Sequence, residues 1–293
     1  MNLPQLYYFR KLAQVLHYTK AANELHITQP SLSESIASLE KELGLPLFKK
    51  SGRKIELTEY GEEFHYYVCL SLSELEKGIN AVQEKARGFI STIDIGCITT
   101  LLGDYLPTLI DNYKLITPGV RFNIYEGRTL PIIAGIKSGK YSVGICSKVE
   151  NEPDLDFIPI LSQEIVVVVN KSHALAEYRE LYLKDLRKYE LNTYRASIPI
   201  GKTMQSLLEK HKIKGLYNYD DEISIGGIVN NSDTVAIIAN TALLRQFDDI
   251  VTIKLLDVPS NARLVYIAFR KNLHIPESTK SFMDYVVSHA DTV

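Results

Sequence analysis

The segment from Thr19 to Leu57 constrains this chain most, because two short helical patterns run directly into a basic hairpin pattern. Just upstream, Leu6, Phe9, Ala13 and Leu16 recur at spacings of three and four, which predicts a helix over Leu3–Leu16 with one buried face. Thr19 is a good N-cap for a second helix whose apolar side is Ala21, Ala22 and Leu25. Thr28 can cap a third, with Gln29 and Pro30 in its first turn, where proline gives up no hydrogen bond. Along it Leu32, Ile36, Leu39 and Leu43 hold the core side, and Gly44 supplies the stop.

The other face of that third helix carries Gln29, Ser31, Ser33, Glu34, Ser35, Ala37 and Ser38. Small polar side chains let a helix approach the major groove closely, and glutamine can bridge the donor and acceptor edges of an adenine. Beyond it, Lys49, Lys50, Arg53 and Lys54 crowd around Ser51-Gly52, and Ile55 and Leu57 alternate afterwards. A Ser-Gly turn between basic strands sets cations against the phosphate backbone or the minor groove. A helical domain with a merely solvated face and a charged turn is the plainer alternative. The two adjacent signals together favour a winged helix-turn-helix that reads double-stranded DNA.

Ala21-Ala22 through Leu25, Thr28-Gln29-Pro30-Ser31-Leu32-Ser33, Leu39-Glu40, Leu43-Gly44, Leu47-Phe48 and Leu57-Thr58-Glu59-Tyr60-Gly61 resemble the N-terminal signature of LysR-type transcriptional regulators. The resemblance implies that Gln29, Pro30, Ser31 and Ser33 face promoter DNA from the recognition helix, with Arg53 the wing residue; the cap Thr28 and the basic Lys49, Lys50 and Lys54 complete the expected DNA contacts. Members of the family often carry arginine where this chain has Glu34, and a carboxylate there repels a phosphate unless it turns away or pairs with a cation.

Composition sharpens this. A chain of 293 residues with 45% apolar content is long enough for two or three units with real cores. A net charge of −2 excludes a general polycation, yet Leu43 to Ile55 holds four cations and no acid. The N-terminal sequence lacks a signal peptide's pattern, and no apolar run approaches about 18 residues, so a cytoplasmic protein without a membrane span is expected. Cys69, Cys97 and Cys146 have no metal-type spacing. Cys97 and Cys146 fall in strand-like segments and read as small buried hydrophobes, a redox pair being the family-based alternative. No GxSxG, GxxxxGK[ST], HExxH or CxxC pattern occurs, and the seven histidines are scattered. No catalytic residue, cofactor or metal is therefore expected.

From Glu59 to about Ala86 one long helix is predicted. Val68, Leu72, Leu75, Ile79, Val82 and Ala86 alternate spacings of four and three, the seam of a coiled coil. Such a stripe calls for a partner helix, hence a homodimer reading a pseudo-palindromic site, or else for packing on its own chain. The resemblance implies a homotetramer.

Beyond Gly88, Val- and Ile-rich segments at Thr92–Ile98, Val120–Tyr125, Ser142–Cys146, Glu164–Asn170 and Arg263–Arg270 alternate with helical patterns, which predicts mostly parallel sheets covered by helices. The full expectation is an α+β multidomain chain. A winged helix-turn-helix occupies residues 1–58 and a linker helix 59–88. A two-lobed α/β effector domain occupies 89–293 and resembles periplasmic binding proteins, with lobe I at 89–161 and 266–293 and lobe II at 162–265.

Ligands in open α/β sheets bind beyond the carboxyl ends of strands, often at helix N-termini. That rule selects Thr99 and Thr100 for a ligand carboxylate, helix capping being the alternative, with Glu126, Thr129, Cys146 and Ser147 nearby. By resemblance the second lobe contributes Ser197, Ile198 and Thr203. Ser232, in Asn230-Asn231-Ser232-Asp233-Thr234, reads equally as a polar pocket element or a surface turn. Rival functions are a solute-binding protein, against which the missing signal-peptide pattern and the N-terminal reader argue, and a ligand-independent architectural DNA protein, which needs no cleft.

Overall fold

The computed structural model describes residues 1–51, 54–86, 91–271 and 275–291. The chain divides into two compact units near residue 88. In the first, α1 (Leu3–Val15) opens on a capping box: the Asn2 side chain accepts from Gln5 N at 3.0 Å while the Gln5 side chain accepts from Asn2 N at 2.9 Å. Leu16 then turns left-handed (φ 52°) and reverses the chain. Because the reversal comes so early, α2 (Tyr18–Glu24) is capped by the His17 ring, not by Thr19, which lies inside the helix. The start and stop of α3 (Gln29–Leu43) are those expected: Thr28 Oγ1 accepts from Ser31 N at 3.3 Å, and Gly44 closes it at φ 72°. β1 (Phe48–Ser51) and β2 (Lys54–Leu57) pair antiparallel, with Phe48 opposite Leu57 and Lys49 opposite Glu56.

Phe9, Leu12, Leu32, Ile36, Leu39 and Leu47 are buried together, and each contributes about 1.5–3 kcal/mol relative to exposure. The helix α4 (Glu59–Ala86) has the predicted bounds, but its apolar stripe divides. Val68 and Leu72 belong to this unit's core, whereas Leu75, Ile79 and Val82 are exposed at 40%, 48% and 71%. The first part of the supposed seam thus packs on its own chain.

In the second unit, β3 (Ser91–Ile98), α5 (Tyr105–Ile116), β4 (Val120–Gly127), α6 (Thr129–Lys137), β5 (Val143–Cys146) and β6 (Leu155–Ser162) build most of lobe I. The chain crosses to lobe II for β7 (Ile165–Asn170), β8 (Glu180–Leu181), β9 (Glu190–Tyr194), α7 (Pro199–Lys210), β10 (Lys214–Tyr219), α8 (Glu222–Asn230), β11 (Val235–Ala239) and β12 (Ile250–Leu255). It returns through β13 (Leu264–Arg270) and α9 (Glu277–Ser288). The lobe I sheet has the order β4-β3-β5-β13-β6 and the lobe II sheet the order β10-β9-β11-β7-β12-β8. Since β6 ends at Ser162 and β13 starts at Leu264, the crossings lie at 162–164 and 262–264, slightly inside the expected bounds.

The sheets are mixed, not mostly parallel. β3, β4 and β5 are parallel, as are β9, β10 and β11, but β13 runs antiparallel to β5 and β6, and β7 antiparallel to β11 and β12. Double crossing is the cause: β7 and β13 start at the junction between lobes, while the parallel strands end there. The helix α8 was hidden in the sequence by Gly226-Gly227, poor helix formers. A Cβ at Gly226 would come within 2.4 Å of the Phe247 ring, so close packing excludes a larger residue.

Gly61 has a similar role in the first unit. A Cβ there would lie 2.0 Å from the Leu47 carbonyl oxygen, which accepts from Thr58 N at 2.9 Å. Gly61→Ala is therefore expected to cost about 1–3 kcal/mol through overpacking. Urea denaturation should record the loss, with weaker promoter binding in parallel as the strand next to Leu47 shifts.

Candidate DNA interface and effector cleft

On α3, Gln29, Pro30, Ser31, Glu34, Ala37 and Ser38 are exposed, as is the cap Thr28, while Ser33 is half-buried. The face is small and flat enough to enter a groove. Glu34 has no ion-pair partner among the described residues. Lys49 and Lys50 are exposed on β1, with Glu56 across from Lys49. Lys54 begins β2, and Arg53 lies outside the described residues. A residue whose role went unread in the sequence fixes this geometry: Glu40 Oε1, on α3, accepts from Leu47 N at 2.7 Å and Phe48 N at 3.0 Å. One carboxylate thereby ties the helix to the first strand of the wing. Thr58 Oγ1 adds a bond to the Pro46 carbonyl at 2.6 Å and accepts from Gly61 N at 3.0 Å.

In the second unit the expected ligand residues separate. Thr99 Oγ1 donates to Glu126 Oε1 at 2.8 Å, so the protein's own carboxylate stands where a ligand carboxylate was expected. Neither Thr99 nor Thr100 caps α5. They form a short 3-10 turn (Thr99–Leu101), and Asp104 caps the helix by accepting from Tyr105 N at 2.7 Å. A carboxylate at that N-terminus disfavours a second anion there. Thr100 lines a separate cavity of about 820 Å³. Thr129 is buried at the start of α6. Ser232 is remote from the junction: it lies between α8 and β11, where strands run toward the junction, and bonds to the Ile228 carbonyl at 2.7 Å and the Thr234 hydroxyl at 2.8 Å. Its neighbour Asn230 ties α8 to β7 and β12 through Asn170 Nδ2 (2.8 Å) and Asp249 N (3.1 Å). The segment is a surface turn.

Ser147 and Thr203 do come together, in a cavity of about 170 Å³ between the lobes. Cys146, just before Ser147, is fully buried, and burial pushes its thiol up to about 12. Cys97 is also buried with its thiol raised, so both are inert packing groups. Ile198 is the N-cap of α7 and makes no side-chain cap bond; Pro199 follows, and the exposed Ser197 precedes it. The first turn of α7 therefore keeps backbone N–H groups without a side-chain cap at the cavity's edge.

The group that defines this cavity is Arg263, on the second crossing. It is 6% exposed, and its Nη1 donates to Ser147 Oγ at 2.8 Å and to the Leu264 carbonyl at 3.2 Å. Among the described residues its Nε has no partner. Burial lowers its pKa, and Tyr194, Glu222 and Cys146 oppose that. Nearby, Tyr194 donates to Glu222 Oε1 at 2.6 Å and accepts from Ala239 N at 3.0 Å. Burial pushes the Glu222 carboxyl up, against the Tyr194 hydrogen bond and the charge of Arg263. At the cleft's mouth Asp220 pairs with Arg195 at 2.9 Å in its own lobe and Arg128 at 3.2 Å across from it. The sequence signal for Arg263 was an arginine directly before the apolar run Leu264–Phe269.

Comparison with known proteins agrees with both units. A family model described as "Bacterial regulatory helix-turn-helix protein, lysR family" matches residues 3–62, and one described as "LysR substrate binding domain" matches residues 86–291. The chain belongs to the LysR family. It is a DNA-binding transcriptional regulator with an effector-binding domain. It is 28% identical over 291 residues to the HTH-type transcriptional regulator YybE of Bacillus subtilis (strain 168), covering 99% of each chain. The effector-binding domain of QuiR in complex with shikimate is 27% identical, with a TM-score of 0.63 over 68% of this chain and 97% of that one. Full-length CbnR, a LysR family transcriptional regulator, has the same fold, with a TM-score of 0.73, 20% identity and coverage of 99% and 100%. Among the described residues of this LysR-type regulator, no helix is long and apolar enough to cross a membrane.

The buried carboxyl at Glu222 has a measurable consequence. Because its folded pKa is raised, the folded state retains a proton that the unfolded chain releases, so this group's contribution to stability declines as pH rises above the ordinary carboxylate range. Glu222→Gln keeps an acceptor for Tyr194 and removes the titration. Its stability relative to the unaltered protein should rise with pH above the ordinary carboxylate range in urea denaturation.

Proposed function

We propose that this regulator senses a small anion in the cavity between its lobes, and that Arg263 is the principal anchor. The carrying observation is the buried guanidinium, held at 2.8 Å by Ser147, with an unpartnered Nε on a crossing segment. Ser147 from lobe I and Thr203 from lobe II line the same cavity, the uncapped start of α7 adds N–H groups, and Lys148 adds charge at its rim. An anion there contacts both lobes and changes their relative stability, which is how a ligand shifts a conformational equilibrium. The complex of the QuiR domain with shikimate supports a small organic ligand for a domain of this kind. Thr99, Thr100, Glu126 and Thr129 are not assigned to the anion's first contacts.

The reader's contacts are proposed as Thr28, Gln29, Pro30, Ser31 and Ser33 in the major groove and Lys49, Lys50, Arg53 and Lys54 on the backbone or minor groove. Leu75, Ile79 and Val82 form the stripe through which two copies pair along α4, as a dimer or as half of a tetramer. The protein acts in the cytoplasm and carries out no catalytic step.

The decisive measurement is a titration with shikimate, benzoate and succinate, each beside its neutral amide, following melting temperature and promoter affinity. A carboxylate that stabilises the protein and alters promoter binding, where its amide does neither, is the expected result. Ser147→Ala and Thr203→Val should each weaken it about tenfold, the scale of one charge-assisted hydrogen bond, without changing binding to DNA in its absence. Equal responses to acids and amides would refute the anionic assignment. At the reader, Glu34→Arg should raise promoter affinity and steepen the slope of log K against log salt by about 0.9, as one further phosphate is neutralised. An unchanged slope would place residue 34 away from the backbone.

A further inference from the structure

Thr99 and Thr100 are adjacent in sequence, yet only Thr100 lines the cavity of about 820 Å³. That cavity lies against the first crossing, Leu161 to Glu164, and is walled by the start of α5 from lobe I and by residues 240–252 from lobe II. It shares no lining residue with the Arg263 cavity. Its volume falls among the roughly 300–1,000 Å³ that small-molecule sites occupy. Leu101, Leu109, Leu161, Leu244, Phe247 and Ile250 supply apolar walls.

Two hydroxyls set it apart from a packing gap. Thr100 Oγ1 and Thr241 Oγ1 are both shielded from solvent, and among the described residues neither has a hydrogen-bond partner. Thr241 is 8% exposed. It also occupies the N-cap position of the 3-10 turn Ala242–Gln246 without making a side-chain cap bond. Buried hydroxyls are ordinarily paired, so two orphans on residues that line one cavity are groups that a rotation of either side chain presents to an occupant. The charges restrict what that occupant is. Asp104 and Glu164 are set against Arg245, whose Nη2 is 3.8 Å from Asp104 Oδ2, which leaves a carboxylate in excess. An anion is disfavoured here, in contrast to the Arg263 cavity.

We propose that this larger cavity is a second ligand site, for an uncharged organic molecule with an apolar face and a hydroxyl or amide that bonds to Thr100 and Thr241. Walls from both lobes mean that its occupant biases their relative angle, so its affinity is coupled to that of an effector at Arg263.

The test uses fluorine NMR on the full-length protein, with para-fluorobenzyl alcohol as the probe and para-fluorobenzoate as the anion of similar shape. The alcohol should bind and the benzoate should not compete with it. Thr241→Val and Thr100→Val, which keep shape and remove a hydroxyl, should each weaken the alcohol about tenfold, and Ala242→Leu, which crowds the wall beside Thr241, should also weaken it. Failure of the alcohol to bind, effective competition by the benzoate, or binding that Ala242→Leu leaves unchanged would each overturn the proposal. So would loss of the alcohol in Ser147→Ala with none in Ala242→Leu, because the probe would then occupy the smaller cavity. Melting curves identify any variant that fails to fold, and the comparison of alcohol with benzoate on the unaltered protein decides the matter independently of the variants.

Discussion

The backbone hydrogen bond from Gln163 N to the Arg263 carbonyl, at 2.8 Å, joins the two segments that carry the chain between lobes. Much of the second unit follows from that paired crossing. It forces β7 and β13 to start at the junction and so makes both sheets mixed. It leaves the ends of the parallel strands facing the junction, where ligands reach backbone groups that no ladder uses. It also places Arg263 between the lobes, in a position no surface arginine could hold. Two further backbone bonds, from Ser162 N to the Asp291 carbonyl (2.6 Å) and from Asp291 N to the Ile160 carbonyl (3.0 Å), brace the first crossing against the end of the chain.

The first unit solves a different problem, which is to present a helix and a hairpin as one rigid surface. Short two-stranded hairpins are marginal alone. Here Glu40 holds Leu47 and Phe48, and the ring of Phe9 lies 5.5 Å from Phe48 and 5.1 Å from Phe64. The aromatic contacts stack α1, β1 and α4 against each other, while Glu40 ties the hairpin to α3. The acidic residue Glu40 therefore serves the geometry, whereas Glu34, six residues earlier, lies on the exposed face of α3.

Much of this was legible in the sequence where the signal is local. Thr28, Gly44 and the spacing of Leu32, Ile36 and Leu39 specified α3 to the residue, because caps and periodicity are properties of neighbours. Thr19 misled because a left-handed Leu16 displaces the helix start, and left-handed leucine has no sequence signature. In the second unit Ser147 and Thr203 were found by strand ends and resemblance and do share a cavity. Arg263 was missed, since its importance depends on burial at a crossing whose position emerges only from the pairing of distant strands. Thr99, Thr100 and Ser232 looked equivalent as polar residues near element ends. They part company because the Thr99 hydroxyl is taken by Glu126, Thr100 lines another cavity, and Ser232 sits at the far end of lobe II.

Relative magnitudes indicate what governs the angle between lobes. The pair of Arg128 and Asp220 spans the cleft, but the Arg128 side chain is 68% exposed, and an exposed ion pair contributes about 0–1 kcal/mol. A hydrogen bond to a charged group contributes about 1.5–3 kcal/mol, and an unpaired buried donor costs a comparable amount. Arg263 Nε is such a donor, on the crossing itself and beside one hydroxyl from each lobe. An anion at the proposed site satisfies that donor and engages Ser147 and Thr203 together, so its effect on the lobes exceeds that of the exterior latch. The exposed pair can then break or form in response to the ligand, because it is too weak to oppose it.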